Sequence, residues 1–297
     1  MQKLINKKSI NRSLQLVGDS SSSSFFIRVS NIFEYGKIKI NVVNTNEKVC
    51  VKMKKIIKYI LIITSLLVFI GFSVFWIWSE QTYEASNNLS TFLGNDTMEY
   101  QQNWLVFEPE NQQAKTGIIL YPGAKVEPEA YSYYGDTLSK EGYLVIIPEV
   151  LFNFAIFDQN IAQEIMDYFP TVVQWIIGGH SLGGVAAASF AFNNPTKLDG
   201  LILLGSYPTD NNNFTGMDLP MLSIYAKNDG LTTPKEIQET QHLLSQHAEL
   251  QEIQGGNHAQ FGIYGEQKGD GNATISVEEQ QRRITDTIKQ WLDDANL

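Results

Sequence analysis

Hydropathy divides this chain into two unlike stretches. Tyr59 to Trp78 is a run of 20 residues without a charged side chain, and as a helix it is long enough to cross a hydrocarbon core of about 30 Å. From about residue 100 the pattern becomes short apolar runs separated by polar segments of helical period. Leu105 to Phe107, Thr116 to Tyr121, Tyr143 to Ile147, Val172 to Ile177, Leu198 to Leu204, Leu222 to Ala226 and Leu250 to Ile253 have the length and composition of strands, with the first at an edge and the second central. Between them lie predicted helices. Pro128 to Lys140 sets Tyr131, Tyr134 and Leu138 on one face, Gln159 to Phe169 follows, and Gly184 to Ala191 is rich in small helix formers. Thr233-Pro234-Lys235-Glu236 has the form of a capping box with proline at the first helical position, which fixes another helix start. Ile284, Ile288, Trp291 and Leu292 form the apolar face of a closing helix. The alternation predicts an α/β fold with a mostly parallel, doubly wound sheet. There is no internal repeat.

Charge sharpens the division. The formal net charge of −10 averages +9 over residues 1–58 and −19 over the rest. An acidic body repels phosphate backbones, which argues against nucleic acid as a partner. Lys48, Lys52, Lys54, Lys55 and Lys58 precede the apolar run, and Glu80 and Glu84 follow it. The positive-inside rule then predicts a single-pass protein of the cell membrane, anchored through residues 59–78, with its N-terminus cytoplasmic and its body extracellular. Trp76 and Trp78 sit where interfacial aromatics belong. The run is longer than the apolar region of a signal peptide and no small-x-small site follows it, so it is read as an uncleaved signal-anchor. Cys50 is the only cysteine; the body beyond the run therefore has no disulfide, no thiol nucleophile and no cysteine-based metal site. Residues 1–52 lack periodicity, contain the run Ser20 to Ser24, and are expected to be disordered or to precede a true start at Met53. The further divisions expected are an anchor over 53–79, a linker over 80–99 and the folded body over 100–297.

The chemistry lies in Gly179-His180-Ser181-Leu182-Gly183. Placed between a buried strand and a helix of small residues, this run predicts a tight turn that presents the Ser181 hydroxyl at the top of the sheet. A serine hydroxyl is a weak nucleophile and needs a histidine base with a carboxylate to orient it. Of four histidines, His180 lies inside the turn, and His242 and His247 fall on a predicted polar helix. His258, in Gly256-Asn257-His258 after the last strand, is left as the base. Asp229, in Lys227-Asn228-Asp229-Gly230 after the strand ending at Ala226, is the expected orienter, with Asp158, Asp210 and Asp218 as alternatives near other loops. Backbone N–H groups of Leu182 and of Ala124, in Tyr121-Pro122-Gly123-Ala124-Lys125, are the expected oxyanion donors, with Lys125 as a substitute for Ala124. Lys125, His180 and Gln260 are candidate substrate contacts, and the loops Phe152 to Asp158 and Gly262 to Gly271 candidate walls.

Tyr121 to Lys125, Gly179 to Gly184, Asn228-Asp229-Gly230 and Gly256 to Gly262 together resemble the bacterial α/β-hydrolase fold family 5, a cap-less group similar to dienelactone hydrolases and small carboxylesterases. The resemblance covers about residues 100–297. It implies an α/β-hydrolase fold, a Ser-Asp-His triad in that chain order, and a serine hydrolase acting on esters with no metal or organic cofactor. Dienelactone hydrolases use a cysteine where this chain has Ser181, which argues against that activity, and the His-Gly-Gly-Gly loop of many lipases is absent. Only Gly205 to Met221 is available where a cap is usually inserted, so an open site is expected. An open acidic surface favours short acyl esters over interfacial substrates, although a small-molecule ester and a lipid or cell-envelope ester both fit the triad. Two other readings fit the same residues: a non-catalytic envelope protein on a hydrolase scaffold, and thioester or amide cleavage or acyl transfer by the same three side chains.

Overall fold

The computed structural model describes residues 45–87, 89–93, 99–110 and 113–297; the expectations for residues 1–44, including Ser20 to Ser24, and for Asn88 lie outside them. Helix α1 spans Thr45–Ser79. Residues 45–52, which show no apolar periodicity, are thus helical: no glycine or proline separates them from the apolar run, so the helix continues back through them. Within α1, Val51–Ser79 is long and apolar enough to cross a membrane.

Residues 62–297 form a compact unit built on eight strands: β1 Glu99–Gln101, β2 Trp104–Phe107, β3 Thr116–Tyr121, β4 Leu144–Pro148, β5 Gln174–His180, β6 Gly200–Leu204, β7 Met221–Ala226 and β8 Ala248–Ile253. They are ordered β1-β2-β4-β3-β5-β6-β7-β8. The pairs β1–β2 and β2–β4 are antiparallel, and every pair from β4 to β8 is parallel. Helices α2 Ser132–Ser139, α3 Ile161–Tyr168, α4 Leu182–Asn193, α5 Pro234–Thr240 and α6 Val277–Asp294 complete the unit. Trp104–Phe107 is not the edge, because the polar, exposed β1 pairs outside it. A three-residue strand of Glu, Tyr and Gln carries no apolar signal by which to read it.

The sheet has a core on each face, and β3 shows how. Ile119 and Tyr121 join Ile165, Trp175, Ile177, Phe190 and Leu203 on the side of α3 and α4. Ile118 and Leu120 join Tyr134, Leu138, Ile176, Ile288 and Trp291 on the side of α2 and α6. This period of two places parallel strands between two helical layers, which is why they read as continuous apolar runs. The segment from β6 to β7 contains no helix, consistent with a cap-less fold.

Residues 80–93 are not a free linker. The Tyr83 N–H donates to the Lys125 carbonyl (2.6 Å), the Glu127 N–H donates to the Tyr83 carbonyl (3.1 Å), and the Ser86 N–H donates to the Ile263 carbonyl (2.8 Å). Thr82 Oγ1 adds a bond to Glu127 Oε1 (3.0 Å), and Leu89 is buried. Tyr83 and Leu89 are apolar bodies in a polar run, and each finds a place to pack.

Candidate active site

The site lies past the C-terminal ends of three parallel strands. Ser181 follows β5 with φ 53° and ψ −122°, a region that non-glycine residues occupy at a cost of about 1–3 kcal/mol. The turn can close only because of its glycines. A Cβ on Gly179 would lie 2.4 Å from the Gly183 carbonyl carbon, and one on Gly183 would lie 2.3 Å from the Pro122 oxygen. The second contact shows that the Ser181 turn is pressed against the Pro122 to Lys125 loop. Ser206 Oγ anchors the turn from below by donating to the Ser181 carbonyl (2.7 Å).

Asp229 and His258 are brought together from the turns after β7 and β8. His258 Nδ1 and Asp229 Oδ2 are 2.7 Å apart, with both side chains buried. The other Asp229 oxygen accepts the N–H groups of Leu231 (2.8 Å) and Thr232 (2.6 Å), which hold the carboxylate in one orientation. With Nδ1 donating to Asp229, His258 keeps its lone pair on Nε2. Two of the alternative carboxylates are engaged elsewhere: Asp158 accepts the Leu151 N–H, and Asp218 pairs with His247. His247 itself sits in a turn after the short 3-10 helix Gln241–Leu243 rather than on a helix.

Ala124 and Leu182 lie on the two loops that meet. Leu182 is the first residue of α4, so its N–H has no acceptor within the helix. The N–H of Lys125 is taken by the Asn153 carbonyl (2.8 Å), which leaves Ala124 as the available donor on that loop and removes Lys125 as its substitute. Among the described residues, neither the Ala124 nor the Leu182 N–H is paired with a backbone carbonyl outside the regular elements. The dipole of α4 adds positive potential at the same point.

The candidate substrate contacts fare differently. His180 is 1% exposed, so its side chain is a floor beneath the site rather than a wall. The turn forces it inward, where Tyr131 Oη accepts the Gly123 N–H (2.9 Å) and meets His180 Nδ1 (2.9 Å). Burial, and secondarily the His258 ring 4.5 Å away, push the His180 pKa well below its ordinary value, so His180 stays neutral beside the other imidazole. Gln260 is tied down too: its Nε2 donates to the Ile275 carbonyl (3.3 Å). Lys125 Nζ lies over the Trp78 ring at 4.2 Å from its centre.

Asp270 has no place in the triad motifs, yet it ties the acid turn to the base turn. Its Oδ1 accepts the N–H groups of Gly230 (3.0 Å), His258 (3.2 Å) and Gly271 (2.7 Å), and its Oδ2 accepts that of Ala259 (2.8 Å). In sequence it reads as an ordinary Gly-Asp-Gly turn. The Gly262 to Gly271 loop is therefore packed on the site, and a Cβ on Gly230 would meet the Gly269 oxygen at 2.7 Å. Among the described residues no group of three or more His, Cys, Asp or Glu side chains could hold a metal ion.

Residues 117–282, more than half of the chain, match the model of the alpha/beta hydrolase family. The chain belongs to this family. Similar solved structures include an alpha/beta hydrolase enzyme from the metagenome of lagoon sediments of Mar Chica, Morocco, with 18% identity over 68% of this chain and 100% of that one and a TM-score of 0.52. Est1E from Butyrivibrio proteoclasticus with bound ferulic acid shares 13% identity over 64% of this chain and 95% of that one, with a TM-score of 0.51. A thermophilic esterase from Thermogutta terrifontis shares 14% identity over 65% and 93%, with a TM-score of 0.50. At these identities the likeness is one of alpha/beta hydrolase fold. No curated protein matches the chain in sequence.

Proposed function

We propose that this alpha/beta hydrolase is a membrane-anchored, extracellular serine hydrolase that cleaves carboxylic esters. The observation that carries the reading is the buried 2.7 Å contact between His258 Nδ1 and Asp229 Oδ2, in a site whose serine is held at φ 53° by its turn. Ser181 Oγ attacks the acyl carbon as His258 Nε2 takes its proton. The oxyanion that forms is stabilised by the Ala124 and Leu182 N–H groups. Collapse breaks the bond to the leaving oxygen, which departs as an alcohol with the proton from His258. Water then attacks the acyl-enzyme by the same route and frees Ser181. The charge asymmetry about the apolar run supports an extracellular body.

The test is turnover of p-nitrophenyl acetate by the detergent-solubilised full chain. Ser181→Ala is expected to lose about 10³-fold or more of the rate while unfolding at the wild-type temperature. Equal turnover by the variant would refute the assignment of the nucleophile. Orientation is tested separately by adding protease to intact spheroplasts. The expected result is digestion of the body, and full protection would reverse the topology.

A further inference from the structure

The end of α1 and the rim of the site share one apolar surface. Phe152 packs against Phe72, Phe75 and Trp76 with ring centres 5.6–5.9 Å apart. Phe154 stacks on Trp78 at 5.7 Å, and Phe157 meets Phe75 at 6.1 Å. Polar contacts fix the same junction: Asn153 Nδ2 donates to the Ser79 carbonyl (3.1 Å). Phe152 and Asn153 both have positive φ, 56° and 59°, a strained pair held in place by these contacts.

Phe72 to Phe75 lie inside the segment that is apolar enough to cross a membrane. At 1.5 Å per residue, Phe72 is about 10 Å below the helix end at Ser79. A loop that packs its phenylalanines there sits among head groups and outer acyl chains whenever α1 spans a bilayer. The loop still leaves apolar surface open, with Leu151 51% and Phe157 53% exposed. Single exposed hydrophobes need no explanation, but a contiguous set joined to a membrane helix marks a lipid contact.

The same loop borders the loop that carries Ala124 and the helix that follows Ser181. The Asn153 carbonyl accepts the Lys125 N–H, next to Ala124, and the Ala155–Phe157 turn packs against α4, which begins just after Ser181.

We propose that the site faces the bilayer crossed by α1 and takes long-chain acyl esters resident in that bilayer, which reach Ser181 along the apolar surface of Leu151 to Phe157. This rests on the esterase reading and gives it a substrate class. It replaces the preference for short acyl esters expected from an open polar surface, because the membrane covers the site in place of a cap.

The test uses the full chain in vesicles of ether-linked phosphatidylcholine, which the enzyme cannot hydrolyse, carrying a few percent of dioleoylglycerol, with p-nitrophenyl acetate in the water. The wild type is expected to release oleate. In the double variant Leu151→Glu/Phe157→Glu, the ratio of oleate to acetate release should fall by about tenfold or more, as when charges are forced against lipid. Acetate release without oleate release, or an unchanged ratio in the variant, overturns the proposal and leaves the esterase reading standing. Failure to cleave either ester removes both. Membrane contact is read independently of catalysis by a nitroxide on Phe157→Cys in a Cys50→Ser background. It should be relaxed more by oxygen than by a water-soluble nickel complex, the reverse of the result at Val173→Cys, an exposed residue at the opposite end of β5. Equal access of the nickel complex to both positions also overturns the proposal.

Discussion

Asp229 does two things with one carboxylate: one oxygen orients His258 and the other closes its own turn onto the Leu231 and Thr232 N–H groups. Asp229→Asn separates these roles. The amide oxygen can keep the turn bonds, while the amide nitrogen faces His258 Nδ1 and demands the tautomer with the hydrogen on Nε2, which cannot act as a base. The variant is expected to stay folded and to lose about 10³- to 10⁴-fold in kcat on acetate esters. Near-wild-type turnover would place the orienting acid elsewhere. Ser181, Asp229 and His258 were legible as candidates because each lies in a turn after a strand, with β8 before His258 showing strand composition only over its last residues. The burial of His180 was not, since a histidine beside the nucleophile has the same neighbours in sequence whether it faces substrate or the core. Only the packing of Tyr131 and Phe261 around the ring distinguishes the two.

At the scale of elements, the site is an assembly of turns joined by side-chain bonds that cross many residues of sequence. Asp270 joins two of them, with Oδ1 serving Gly230, His258 and Gly271, and Oδ2 serving Ala259. Asp270→Ala removes the shared acceptor of N–H groups in both turns and should lower kcat by about tenfold or more, with a smaller change in KM. Asp270→Asn keeps one acceptor oxygen and should recover part of the rate. If the alanine variant keeps wild-type kcat, the turns hold their geometry without it. Such ties carry no periodic signal, so neither Asp270 nor the strap over residues 80–93 could be read from pattern. The parallel strands from β3 to β7 were legible because burial on both faces writes itself as an unbroken apolar run. β8 is more polar and exposed and was recognised only over its last residues.

For the whole molecule, a basic N-terminal stretch, an apolar run and an acidic hydrolase body follow one another along the sequence. Hydropathy and charge alone divide the chain this way. The joint between helix and body was not legible, because Phe152, Phe154 and Phe157 read as a candidate wall of the site until Phe72, Phe75 and Trp78 are found against them. That joint bears on substrate, but the account depends first on Ser181 being a working nucleophile. The most direct measurement is the intact mass and peptide map of the detergent-solubilised full chain after treatment with a fluorophosphonate. The expected result is a single adduct on the peptide containing Ser181, lost in Ser181→Ala and strongly slowed in His258→Ala. A folded wild-type protein that takes up no phosphonate, or takes it up equally in the Ser181→Ala variant, would contradict the account.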